Sequence, residues 1–198
     1  MKQANPFYAM EGDNGVGKGS VIEGIQGSLD IVIVASPGPD YQLGREQINI
    51  KGTHISKFLY YLSSNYHIEP DVKKLLQKSP VMADRFLVSS FVDYMINEKL
   101  DFKDIEYLYA WASERIIMPD MTFWLKCEHE ERVRRVLSRD IRSVNDNISK
   151  DYSEATDRMY NSFIAREPDK WSIVDTTNQS IDEEVAQILE VMQDVNSR

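Results

Sequence analysis

The chain has one cysteine, Cys127, in 198 residues. No disulfide can form within it, and such sparing use of thiols suits a reducing cytosol. Long apolar runs are missing too. The longest uninterrupted one, Ile31 to Ala35, is five residues, against roughly 18 for a membrane span. Only Phe7 to Met10 precedes Glu11, too little for the core of a secretory leader, so a soluble cytoplasmic protein is expected. Positive charge is in short supply: 23 Lys plus Arg stand against 32 Asp plus Glu, a net of −9. That balance argues against a nucleic acid polymer as partner, because phosphate backbones are held by broad cationic surfaces. A small anion pocket is still allowed, since pockets are local and net charge is global. His54, His67 and His129 have no metal-ligand spacing, and no Ser-His-Asp or Cys-His arrangement can be argued. No repeat, low-complexity tract or Pro/Gly-rich linker divides the chain, so one domain over residues 1–198 is expected.

What is present is an alternation of short apolar runs and longer amphipathic ones. Strands are expected at Pro6 to Met10, Ile31 to Ala35, Val81 to Ala83, Met121 to Leu125 and Trp171 to Val174. Ile55, Phe58, Leu59 and Leu62 recur at helical spacing, as do Ile105, Leu108, Tyr109 and Ala112. A further stripe runs through Tyr152, Thr156, Met159, Tyr160 and Phe163. Ser180-Ile181-Asp182-Glu183 reads as a capping box opening a last helix. Alternating strands and helices imply parallel strands joined by right-handed crossovers, an α/β sheet covered by helices. In such sheets ligands sit beyond the C-terminal strand ends.

The first strand end runs into Gly12-Asp13-Asn14-Gly15-Val16-Gly17-Lys18-Gly19-Ser20. Gly12 to Lys18 match G-x-x-x-x-G-K, a phosphate-cradling loop. Glycines let backbone N–H groups curl round an oxyanion, the next helix presents its positive end, and Lys18 reaches the terminal phosphates of a nucleotide. The competing reading is a Gly-rich turn capping a helix. After the lysine a Ser or Thr hydroxyl should ligate Mg²⁺, but the residue is Gly19. Either Ser20 helps, or the ion is held through water and substrate phosphates.

At the third strand end Asp84-Arg85 could hold metal-bound water or accept a proton, and fork onto a phosphate, respectively. A surface ion pair is the plainer alternative. After the fourth strand, five arginines and Asp140 give residues 132–142 a charge of +4. Arg132 and Arg134 are expected on a solvated face paired with Glu128, Glu130 and Glu131. Arg139 and Arg142 lie where the helix gives way to a polar stretch, as in an Arg-bearing lid at about 139–150.

Together these features resemble the thymidylate kinase family of nucleoside monophosphate kinases. Phe7 through Lys18 is similar to the family's opening strand and loop. Asp84-Arg85-Phe86-Leu87-Val88-Ser89-Ser90 resembles its Asp-Arg-Tyr-x-x-Ser segment, and Pro119-Asp120-Met121-Thr122 its Pro-Asp-Leu-Thr strand entry. Phe58 to His67 resembles the helix lining the acceptor site. The resemblance implies a three-layer P-loop kinase fold with a five-stranded parallel sheet, usually a homodimer. It also implies transfer of the γ-phosphate of ATP to a nucleoside monophosphate with Mg²⁺. The loop residues Gly12 to Ser20, with Arg135 and Arg139, would hold ATP. Lys18, Asp84, Arg85, Arg139 and Arg142 would be catalytic, and Ser20 and Asp84 would face the metal. Asn14, Pro37, Phe58, Ser64, Arg85 and Ser89 would surround the acceptor.

The departures cluster at the acceptor. The family's Arg-Glu-Pro-Gly-Gly is Ala35-Ser36-Pro37-Gly38-Pro39 here. Its base-facing arginine aligns with Ser64, its sugar-facing carboxylate with Asn14, and its Ala-Tyr-Gln with Val92-Asp93-Tyr94. Phosphoryl transfer is therefore better supported than thymidylate as acceptor. An unphosphorylated or modified nucleoside is a second possible acceptor, and a non-catalytic nucleotide-binding protein a third reading.

Overall fold

In the computed structural model, residues 5–139 and 146–197 are described. Five strands, β1 (Phe7–Glu11), β2 (Val32–Ala35), β3 (Val81–Asp84), β4 (Met121–Lys126) and β5 (Trp171–Asp175), form one sheet in the order β2-β3-β1-β4-β5. Every neighbouring pair is parallel. The helices are α1 (Lys18–Ser28), α2 (Gln42–Lys51), α3 (His54–Leu75), α4 (Leu87–Glu98), α5 (Phe102–Ser113), α6 (His129–Leu137), α7 (Lys150–Ile164) and α8 (Ile181–Asn196).

The central strand shows why this chain needs helices on both faces. All five residues of β1 are buried, because β3 and β4 flank it and both its faces are covered. Successive side chains point to opposite faces. Phe7 and Ala9 enter one core with Phe58 of α3, Leu87 and Phe91 of α4 and Phe163 of α7. Tyr8 and Met10 enter the other with Val21 and Ile25 of α1 and Val185 and Ile188 of α8. The two cores are separate in composition. The first is aromatic, with Phe58, Phe91, Tyr109, Phe102 and Phe163 meeting edge to face; the second is mainly aliphatic.

Helix starts follow the expected chemistry. The Ser180 hydroxyl accepts from the Glu183 N–H and the Glu183 carboxylate accepts from the Ser180 N–H, the capping box read at α8. Thr53 and Ser149 cap α3 and α7 with the hydroxyl half of that arrangement, accepting from the Ser56 and Tyr152 N–H groups. Helix α2 escapes the periodicity argument, since none of its residues is buried. Leu43 in it is 97% exposed, so no apolar stripe is there to be read. All strands being parallel, the segments that leave their C-terminal ends gather at one edge of the sheet: 12–17 after β1, 36–38 after β2 and 85–86 after β3. No helix among the described residues is long and apolar enough to cross a membrane.

Candidate active site

The loop after β1 turns through three positive-φ glycines, Gly12, Gly15 and Gly17. Gly12 is the strictest. A Cβ there would stand 2.3 Å from the Leu125 carbonyl oxygen, at a φ of +133° that L side chains rarely adopt. Lys18, the first residue of α1, folds back over the loop. Its Nζ donates to the carbonyls of Gly12 and Asp13, each at 2.9 Å. Burial pushes the ammonium down to about 7; the Arg85 charge adds to that, while Asp84, Asp13 and Glu11 oppose it. The loop's N–H groups and the start of α1 thus form a nest for an anion, with a lysine already positioned above it.

Helix α6 braces this loop from outside. The Arg132 guanidinium pairs with the Asp13 carboxylate at 2.8 Å and donates to the Asn14 carbonyl at 3.2 Å. Its other amino group donates to the Asn147 carbonyl and the Ser153 hydroxyl. Arg132 is 2% exposed, which corrects the solvated reading of this residue. Arg134 does match it, lying exposed on Glu131. The reason is the helical rotation of about 100° per residue: Arg132, Arg135 and Val136 face inward while Arg134 faces water. Arg135 donates to the Thr176 hydroxyl at 3.0 Å and the Thr176 carbonyl at 2.6 Å. The Thr176 hydroxyl in turn donates to the Val16 carbonyl at 2.9 Å. Glu184 of α8 is buried near Gly17, and burial pushes its carboxyl up to about 7 against the pull of Arg135.

At the end of β3, Arg85 takes a left-handed φ of 65°. Its N–H donates to the Met10 carbonyl and its guanidinium to the Asn14 side-chain oxygen at 2.8 Å. That turn is held by Glu11, which is wholly buried. The Glu11 carboxylate accepts from the Phe86 N–H at 3.0 Å, from the Tyr160 hydroxyl at 3.2 Å and from the Ser89 hydroxyl. Burial pushes its carboxyl up, while Ser89, the Arg85 charge and the Phe86 N–H pull it back. The adjacent Asp84 differs: its Oδ1 is buried and accepts no hydrogen bond among the described residues. A buried carboxylate oxygen left open in this way fits an acceptor for water, including the water shell of Mg²⁺.

A cavity of about 260 Å³ opens beside the loop, walled by α3, α4 and α7. It brings together Asn14, Phe58, Arg85, Ser89 and Arg139 of the residues expected from sequence. Arg139 approaches Asp146 at 3.8 Å. Pro37 and Ser64 are buried outside it, Ser64 accepting from the Gly38 N–H at 3.0 Å, which makes it a packing residue of the turn after β2. Gly19 and Ser20 lie exposed at the start of α1. A Cβ on Gly19 would meet nothing within 4 Å, so nothing in the packing forbids a hydroxyl there. Arg142 lies outside the described residues. The histidines are dispersed, on Glu98, Asp40 and Ser153, and no His/Cys/Asp/Glu metal cluster occurs among the described residues. Glu11, Thr176 and Glu184 were given no role from sequence, and Arg132 was read as solvated; a charged residue on a strand or helix face that ought to be apolar is the signal for Glu11 and Arg132.

The thymidylate kinase family model matches residues 10–188. A thymidylate kinase of Methylobacillus flagellatus is 25% identical over 201 residues, covering 95% of this chain and 97% of that protein. One of Mycoplasma genitalium is 26% identical over 154 residues, covering 72% and 71%. The structure of a thymidylate kinase from Candida albicans superposes with a TM-score of 0.75 at 15% identity, covering 96% of this chain and 92% of the other.

Removing Arg132 would leave the Asp13 carboxylate, 11% exposed, without its countercharge. Arg132→Ala should therefore destabilise the protein by about 3–5 kcal/mol, and Arg134→Ala by less than about 1 kcal/mol. Urea unfolding of the two variants checks the difference, and equal effects would contradict the bracing role.

Proposed function

This chain belongs to the thymidylate kinase family, and we propose the roles its own residues take in that chemistry. It is an ATP-dependent nucleoside monophosphate kinase. The observation that carries the assignment of roles is the meeting of two cations at one loop, Lys18 buried and Arg85 half-buried. Lys18 lies over Gly12 and Asp13, and Arg85 reaches Asn14 from the neighbouring strand end.

The loop N–H groups and Lys18 hold the ATP phosphates, and Arg85 holds the phosphate of the acceptor at the mouth of the cavity. An acceptor phosphate oxygen attacks the γ-phosphorus while the bond to the β-phosphate oxygen breaks and ADP leaves. Little covalent help is needed, so catalysis is placement plus neutralisation of the spreading charge. Arg139, which lines the cavity, is placed to meet that charge, and Arg135 supports the ATP side through Thr176. Asp84, with its open carboxylate oxygen, is the residue fitted to hold Mg²⁺ through water. The ion, when bound, would offset phosphate charge. Ser20 is one residue, or about 100° of helical rotation, away from the usual hydroxyl position, which favours a water-mediated link over a direct bond. A single domain with an Arg-bearing lid at 139–150, whose residues 140–145 lie outside those described, and a cytoplasmic location are proposed on the sequence pattern, and a homodimer on the resemblance.

Lys18→Ala is expected to lower kcat by about a hundredfold or more. Arg85→Ala should raise the KM of the monophosphate about tenfold or more while leaving that of ATP nearly unchanged. Steady-state ADP release measures both, and near-wild-type turnover in Lys18→Ala would sink the mechanism. Because free Lys18 titrates near 7 and bound phosphates favour its charged form, ATP binding at pH 8 should take up close to one proton. At pH 6 the lysine is already charged and the uptake should vanish. Calorimetry in buffers of different ionisation enthalpy reads this directly, with Lys18→Met as the control that loses the pH 8 uptake. Finally, Gly19→Ser should fold normally and lower the Mg²⁺ concentration for half-maximal rate severalfold; an unchanged Mg²⁺ dependence would remove position 19 from the metal's surroundings.

A further inference from the structure

Resting on the kinase reading, we propose that the acceptor is a nucleoside monophosphate whose base carries an exocyclic amino group, read by the carboxylate of Asp93. Besides Val92, the residues of α4 that line the cavity, Ser89, Ser90, Asp93, Tyr94 and Asn97, recur every four positions and so lie on one helix face. At 1.5 Å rise per residue, Asp93 stands about 6 Å beyond Ser89 along the helix axis, and Asn97 about 12 Å. Ser89 is the end bound to Glu11, beside Arg85. The cavity therefore runs from a phosphate end at Arg85 to a far end at Asp93. Between them, Phe58 stacks on Tyr94 with centroids 4.6 Å apart, an apolar wall suited to a flat ring.

Most polar groups at the far end are already engaged. His54 is bound to Glu98, the Tyr61 hydroxyl donates to Asn49, and the Asn97 amide donates to the Asp93 backbone carbonyl. Asp93 Oδ1 accepts from the Tyr152 hydroxyl at 3.3 Å. No hydrogen bond reaches Asp93 Oδ2 among the described residues, and none is made by the Lys57 ammonium or the Arg45 guanidinium, which also line the cavity. The cavity thus offers one open carboxylate oxygen, on Asp93, and two cationic donors.

A carboxylate accepts and never donates. The amino groups of cytosine, adenine and guanine give it N–H donors, and their neighbouring ring nitrogen or carbonyl oxygen can accept from Lys57 or Arg45. Thymine and uracil offer only a ring N–H, flanked on both sides by carbonyl oxygens that a carboxylate repels. Asp93 therefore works by attraction to one set of bases and repulsion of the other.

The test is ADP release by the full chain with Mg-ATP and dCMP, dAMP, dGMP, dTMP or dUMP, paired with calorimetric binding of the same five monophosphates. At least one amino-bearing monophosphate should exceed dTMP and dUMP about tenfold in kcat/KM, and Asp93→Asn should reduce that ratio about tenfold. Tyr152→Phe, which loses the hydroxyl but keeps the carboxylate, should preserve the ratio, separating base reading from a structural role. A lead for dTMP or dUMP, or an equal loss for all five in Asp93→Asn, overturns the proposal while leaving the kinase reading intact. If no monophosphate releases ADP, the kinase reading fails. Base reading then stands on tighter binding of amino-bearing monophosphates that Asp93→Asn abolishes, and falls if all five bind alike.

Discussion

A carboxylate with no access to water organises the catalytic end of this protein. Glu11 closes the central strand, where the strand's own pattern calls for an apolar side chain. It collects donors from three other segments: the Phe86 N–H after β3, the Ser89 hydroxyl on α4 and the Tyr160 hydroxyl on α7. Tyr160 also accepts from the Gly12 N–H, so the first peptide of the phosphate loop joins the same network. Burying a charge is costly unless it is fully hydrogen-bonded, and that requirement fixes where β1, β3, α4 and α7 end relative to one another. The left-handed turn at Arg85 is one outcome. Its guanidinium reaches Asn14 because the next N–H, that of Phe86, is committed to Glu11.

The same logic extends through the cations. The chain is acidic overall, yet Lys18, Arg85, Arg132 and Arg135 converge on a loop of seven residues, Gly12 to Lys18. They divide the labour. Arg132 and Arg135 are spent on the protein, neutralising Asp13 and tying Thr176 to the loop. Among the described residues, the Lys18 and Arg85 side chains hydrogen-bond to carbonyl and amide oxygens, which phosphate oxygens can replace or join. A cation bound to a carboxylate is already compensated; one held by neutral oxygens is left to meet a ligand's charge, which for Lys18 also restores the proton that burial disfavours. This distinction separates the bracing arginines from the pair proposed to hold phosphate.

Much of the architecture was legible in the amino-acid order. The five strands fall within about a residue of their expected positions; for β1, β3 and β4 the reason is that a strand buried on both faces reads as a nearly continuous apolar run. The phosphate loop is legible because only glycine fits where a Cβ would strike the Leu125 carbonyl. The capping box at Ser180 is equally local. Helix α2 was not legible, since it buries none of its residues, and Ser64 was placed at the acceptor by alignment when its hydroxyl in fact closes the turn at Gly38. Arg132 was misjudged for a related reason. Charge content along a segment does not say which side of a helix meets the rest of the protein.

The sequence by itself therefore determined the class of fold, the phosphate loop and the residues able to bind phosphate, all of which depend on backbone conformation or on spacing within a single segment. Tertiary structure decided which arginines brace and which bind, that Glu11 is the hub, and that Asp93, Lys57 and Arg45 share a cavity with Arg85. Those outcomes depend on segments distant in the chain, brought to one edge by parallel strands, and on which polar groups remain unpaired once every other partner has been found.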